Sequence, residues 1–342
     1  MVHRRHRAAT LLVALLSSMT LVVTACGGQS EQLGSASTGN GEFPITISHA
    51  FGETTIEESP QRVATWGWGS ADAAIALGVT PVAIQSQPYG GDENGMLPWV
   101  QEALDEAGEA APTMLPEGTD PPFEAIAAAA PDLILAVYSG ITETDYEQLS
   151  QIAPTVAYPD EAWSTPWRDT IRIVGEALGK TDEADALLAD IDAQIAAKAE
   201  EHPELAGKSV AMVFNTPDAF YVYKPADARV AFTLDLGLVN ADSVDELANG
   251  DSTFYYTLSD ERLGDLESDI LVSYADTAEA SAEFLGSPEA QLMGQVQDGR
   301  VAEIVGTSFI AAVSPPTALS LTWGLDEYVA ILSETAQRVG ES

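Results

Sequence analysis

Glu124, Ile126 and the run Pro131-Asp132-Leu133-Ile134-Leu135 have a second copy in Glu261, Leu263 and Ser268-Asp269-Ile270-Leu271-Val272, with a step of eight from glutamate to aspartate in both. Each copy reads as a short helix with a glutamate near its start, followed by a buried strand. Upstream of each lies a helix end carrying Leu-Gly and an aliphatic, Leu77-Gly78-Val79 and Leu236-Gly237-Leu238. Further upstream a basic residue opens an apolar strand, Arg62-Val63-Ala64-Thr65-Trp66 and Lys208-Ser209-Val210-Ala211-Met212-Val213. The same order of elements, met twice, predicts two α/β lobes with a cleft between them, and small ligands favour clefts at domain interfaces.

Between the copies, Leu187, Leu188, Ile191, Ile195 and Ala199 recur at helical spacing, and no glycine or proline interrupts the chain from Thr181 to Pro203. Thr181 is the expected N-cap, with Asp182 and Glu183 in the first turn complementing the macrodipole. Such a helix of about 20 residues is roughly 30 Å long. It joins the lobes as one strut and restricts closure, because bending it breaks backbone hydrogen bonds.

The N-terminus has the pattern of an export signal. His3-Arg4-Arg5-His6-Arg7 precedes an apolar stretch from Ala8 to Val23, and Val23-Thr24-Ala25-Cys26 ends it with small residues before a cysteine. Residues 1–25 are therefore expected to be a lipoprotein signal peptide, with Cys26 lipidated. Several acyl chains would hold the protein on a membrane surface. The chain has 1 cysteine, so no intrachain disulfide forms. Residues 26–42 are a Gly/Ser-rich tether. The expected domains are then 43–180 for the N-terminal lobe, 181–202 for the interlobe helix and 203–342 for the C-terminal lobe.

The chain carries 14 Lys and Arg against 53 Asp and Glu, a net charge of −39, and loss of Arg4, Arg5 and Arg7 with the signal makes it more acidic still. This composition argues against nucleic-acid binding, which relies on basic patches. A strongly anionic ligand would need a local cationic site.

The residues offer little chemistry. After the signal, two histidines remain, His49 in an expected N-terminal β-hairpin and His202 at the far end of the strut. They read as surface residues unable to share an ion, so no directly bound metal is expected. No Gly-x-Ser-x-Gly, His-Glu-x-x-His or Ser-x-x-Lys occurs. Gly67-Trp68-Gly69-Ser70 lacks the rest of a nucleotide loop and reads as a tight strand-to-helix turn. No catalytic residue and no cofactor are assigned, and the chain is not expected to be an enzyme.

Ligands of open α/β sheets sit beyond the strand C-termini. Trp68, Tyr89, Tyr138, Trp163, Tyr223 and Tyr274 fall at or near such ends and are expected to line the cleft. Arg229, read as lying in the first strand-to-helix loop of lobe two, is placed opposite Trp68 to grip an oxyanion. A salt bridge from Arg229 to Asp227 or Asp235 is the competing reading.

The lipobox, the repeated half, the strut and the run from Arg229 through Phe232 to Leu236-Gly237-Leu238 together resemble the class III substrate-binding lipoproteins of ABC importers, in the ferric-siderophore and cobalamin group. Pro131-Asp132-Leu133-Ile134-Leu135 and Ile152-Ala153-Pro154-Thr155-Val156 are typical of the siderophore branch. The resemblance implies two Rossmann-like lobes bridged by a single long α-helix. It also implies capture of a ferric siderophore at the extracytoplasmic membrane face and delivery to an ABC permease, with a monomer expected. It assigns Glu124 and Glu261 to docking on permease arginines, and Arg229 to the chelate oxygens. Tyr138-Ser139 stands where some relatives carry a second arginine, which favours a hydroxamate or mixed chelate over a tris-catecholate. Cobalamin or haem on the same fold is the alternative cargo. A surface hydrolase or adhesin is the reading from another class.

Overall fold

The computed structural model describes residues 41–340. The expected signal peptide, Cys26 and the part of the expected tether before residue 41 lie outside the described residues. The described chain opens with the expected hairpin, β1 (Ile45–His49) antiparallel to β2 (Gly52–Ile56). Lobe one follows as β3 (Val63–Thr65), α1 (Ser70–Ala76), β4 (Ala83–Gln85), α2 (Pro98–Ala107), β5 (Thr113–Leu115), α3 (Phe123–Ala128), β6 (Leu133–Ala136), α4 (Glu143–Leu149), β7 (Thr155–Ala157) and α5 (Trp167–Ala177). Its sheet is parallel throughout, in the order β5-β4-β3-β6-β7. This is a doubly wound order, in which the connections leaving the neighbouring strands β3 and β6 diverge and open a crevice at their C-termini.

The strut is α6 (Thr181–Glu201), 21 residues long. Lobe two then runs β8 (Ser209–Asn215), β9 (Phe220–Tyr223), α7 (Ala228–Asp235), β10 (Val239–Asn240), α8 (Asp242–Leu247) and β11 (Tyr255–Leu258). After a 3-10 helix at Asp260–Asp265 come β12 (Ile270–Ala275), α9 (Ala278–Leu285), α10 (Gly294–Gln297), β13 (Val301–Val305), α11 (Thr307–Val313) and α12 (Ser320–Gln337).

Strand faces alternate between two cores in each lobe. Leu133 and Leu135 of β6 join one cluster, whereas Ile134 and Ala136 face another. Val210 and Met212 of β8, with Ile270, Val272 and Tyr274 of β12, belong to the same cluster as Leu133, so one apolar core runs through both lobes. Leu188, Ile191 and Ile195 of α6 and Tyr328, Val329 and Leu332 of α12 are buried in it.

The repeated aspartates have a clear structural task. The carboxylate of Asp132 accepts from the backbone N–H groups of Gln61 and Arg62 at 2.8 and 2.9 Å, tying the start of β6 to the start of β3. Asp269 does the same for β8, accepting from the N–H of Ser209 at 2.8 Å and its hydroxyl at 3.0 Å.

Four sequence expectations are corrected. Lobe two does not repeat the parallel βα unit after its first strand. Instead β8 turns into β9 antiparallel, and β11 pairs antiparallel on β9. The glutamate of the second copy sits on a 3-10 helix, not an α-helix. Thr181 is the first residue of α6, with Lys180 at the N-cap position and no side-chain cap, because the chain enters directly from the end of α5. His49 is buried, not on the surface, and its Nε2 lies 2.9 Å from the Thr54 hydroxyl, a placement in which burial lowers its pKa.

Candidate functional site

Lobe one contributes a wall built on the turn after β3. Gly67 adopts φ +93°, and a Cβ there would lie 2.3 Å from the Tyr138 carbonyl, so only glycine lets the turn pass this close to the end of β6. The Trp68 N–H then donates to that carbonyl at 2.9 Å, and its indole Nε1 donates to the Pro315 carbonyl at 3.0 Å. Trp68, Tyr138, Thr165, Ala228 and Pro315 share one small cavity at the lobe junction. Tyr138 meets Trp163 edge-on with ring centroids 5.7 Å apart. Trp163 is 50% exposed with φ +57°, and Gly140 makes room for its ring, since a Cβ there would fall 2.2 Å from the indole nitrogen. A bulky residue held in the left-handed region and left half in solvent is the kind of strain that marks ligand sites.

Lobe two contributes Arg229. Asp227 caps α7, accepting from the Arg229 N–H at 2.9 Å, and the same oxygen accepts from Arg229 Nε at 2.7 Å. The guanidinium carbon lies 3.7 Å above the Tyr223 ring and 5.9 Å from that of Tyr274. Of the two carboxylates weighed as partners, Asp227 therefore forms the salt bridge, and Asp235 pairs with Arg168 instead. Burial pushes the Asp227 pKa up, with Arg229 opposing it. Burial also works against the charge of Arg229, but Asp227 and the neighbouring tyrosines outweigh it and hold its pKa above the usual value. Tyr274 is 1% exposed and backs Tyr223 from below instead of lining the cleft.

The walls meet at Tyr89. This residue follows β4, is 43% exposed, and its hydroxyl donates across the lobes to Asp276 Oδ1 at 2.7 Å. Burial and Asp276 raise its pKa, and both Tyr223 and Arg229 act on it electrostatically. Tyr138 likewise senses Asp227 and Arg229 from lobe one. Thus Arg229, Tyr223, Tyr89 and Tyr138 form one electrostatic group, with Trp163 attached through Tyr138 and Trp68 through the shared cavity. Glu124 and Glu261 are exposed and lie elsewhere, on α3 and on the 3-10 helix.

Sequence reasoning missed Asp276 and the aromatic extension of lobe two. Phe220 and Val222 face lobe two's separate apolar cluster, so Tyr221 and Tyr223 face the other way, toward the core shared by the lobes, and Tyr221 meets Tyr255 of β11 at 5.4 Å. The period-2 tyrosines of Phe220-Tyr221-Val222-Tyr223 were the available signal. Among the described residues no group of three or more His, Cys, Asp or Glu side chains is arranged to hold a metal ion.

The model of the family described as periplasmic binding protein matches residues 63–306. A probable siderophore-binding lipoprotein of Bacillus subtilis, YfiY, is 28% identical over 278 residues, which cover 80% of each chain. The Streptococcus pneumoniae protein PiaA, solved in complex with ferrichrome, is 35% identical with a TM-score of 0.77, covering 86% of this chain and 99% of that one. A periplasmic solute binding protein from Mycobacterium smegmatis is 28% identical with a TM-score of 0.73, covering 85% and 98%.

Proposed function

The chain belongs to the periplasmic binding protein family, and from that premise we propose that it captures a ferric siderophore, of hydroxamate or mixed type, and hands it to an ABC permease without turning it over. The observation that carries the reading is Arg229 stacked 3.7 Å over Tyr223, with Tyr89 and Tyr138 of the other lobe in its field. A planar cation on an aromatic wall suits the oxygen-rich face of an iron chelate. The similarity to PiaA, solved with ferrichrome, and to the siderophore-binding lipoprotein YfiY supports the cargo class. Lipid attachment at Cys26, a location on the extracytoplasmic membrane face and action as a monomer complete the proposal. So do contacts of the cargo with Trp68, Trp163 and Tyr223, and docking through Glu124 and Glu261.

The test is tryptophan fluorescence of the soluble protein begun after Cys26. It is titrated with iron-loaded and iron-free hydroxamates, cobalamin and haem. Saturable quenching by a ferric hydroxamate, weakened about tenfold to a hundredfold in Arg229→Ala, is expected. A response to cobalamin or haem alone overturns the cargo. Ester turnover abolished by a cleft substitution overturns the binding-only reading.

A further inference from the structure

The cleft holds more negative than positive charge. Arg229 is its cation, and Asp227 meets that charge at 2.7 Å. A second carboxylate, Asp276, stands exposed at the end of β12, held to the opposite lobe by the Tyr89 hydroxyl at 2.7 Å. The nearest further cation in sequence, Lys224, donates its ammonium to the Ser252 carbonyl at 2.7 Å. Arg168 is bound to Asp192 and Asp235, outside the cleft group. One carboxylate, Asp227, thus holds the guanidinium, and a second, Asp276, joins the same group through Tyr89, inside a protein whose net charge is −39.

We propose that this cleft selects ferric chelates by charge, with Asp276 as the selecting residue, so that a cationic hydroxamate chelate is preferred to a neutral one and anionic chelates are excluded. The inference rests on the ferric-siderophore reading. Asp276 Oδ1 is engaged by Tyr89, and a ligand ammonium near the cleft mouth would find the same carboxylate on the surface of the opposite lobe. Arg229 does not compensate, because its charge is already opposed at contact distance. The long-range field of the acidic chain acts in the same direction.

Ferrioxamine B carries a free amine and is a cation when loaded with iron. Its N-acetylated form has the same iron-binding scaffold and no charge. Fluorescence titration of the soluble protein with this pair, at low and high ionic strength, isolates the charge. The cation should bind about three- to fivefold more tightly at low salt, as a single exposed charge contact allows. The ratio should shrink as salt screens it, and Asp276→Asn, which keeps an acceptor for Tyr89, should bring the ratio close to one.

Equal affinities in the unaltered protein overturn the selection while leaving the siderophore reading standing. An equal loss for both chelates in Asp276→Asn assigns Asp276 to holding Tyr89 and also overturns it. Tighter binding of a ferric tris-catecholate, a trianion, does the same. Failure of every hydroxamate to bind removes the hydroxamate cargo, and the inference falls with it.

Discussion

At the scale of single residues, the pair Asp227 and Arg229 does two jobs that substitutions can separate. Side-chain exposures of 7% and 16% mean that removing one partner strands the other. Arg229→Ala should therefore destabilise the fold by about 2–4 kcal/mol, in the range for breaking a buried pair, in addition to weakening binding. Asp227→Asn combined with Arg229→Met should recover much of that stability, since no buried charge remains, while binding stays poor. Thermal unfolding and chelate titration on the three proteins check this, and recovery of both properties together would remove Arg229 from the site. The repeated aspartates were legible in the sequence because each is fixed by backbone N–H groups of the neighbouring strand, which makes a spacing that both lobes need. Asp276 was not legible. Its importance comes from Tyr89, 187 positions away, and no local pattern records such a contact.

At the scale of elements, periodicity located α6 well, because a helix buried along one face must place Leu188, Ile191 and Ile195 on that face. The antiparallel β8–β9 pair escaped because its strands fit the same apolar pattern as a βα unit, and only the hydrogen-bond partners distinguish them. The sequence also gave no hint that the segment before α12 reaches back to lobe one. There Asp72 of α1 accepts from Trp99 Nε1 of α2 at 2.7 Å and from the Thr317 hydroxyl at 2.5 Å, all buried. Burial raises the Asp72 pKa, with the Thr317 and Trp99 hydrogen bonds opposing it. The folded protein therefore holds this proton more tightly than the unfolded chain does. Stability from protonated Asp72 is present at acid pH and is lost as pH rises through the raised folded-state value. Asp72→Asn cannot ionise, so whatever the amide costs, its melting temperature relative to the unaltered protein should rise by about 2–4 °C from pH 4.5 to pH 7.5. A difference that stays flat across this range would show that Asp72 is ionised in the folded protein as it is in the unfolded chain, so that burial does not hold its proton.

At the scale of the whole molecule, the shared core and the strut limit how far the lobes can part, because separating them would expose apolar side chains of both sheets and of α12 to water. A carrier that closes little cannot report its cargo through a large change of shape, so recognition by a permease must depend on fixed surface features. Glu124 and Glu261 suit that task. Both are exposed, each stands near the start of a short helical segment, and neither forms a salt bridge among the described residues. Their positions match because the two lobes repeat one sequence pattern. If they dock on paired arginines, each contact desolvated at the interface is worth about 2–5 kcal/mol when one partner is truncated. Glu124→Ala together with Glu261→Ala should then abolish iron uptake in cells, and either single substitution should reduce it. Chelate affinity of the purified double variant should stay within about twofold, since neither residue belongs to the cleft group, and a twofold change is under 0.5 kcal/mol. Uptake that survives the double substitution would move docking to another surface. Uptake lost together with chelate binding would place these glutamates in the fold of the lobes.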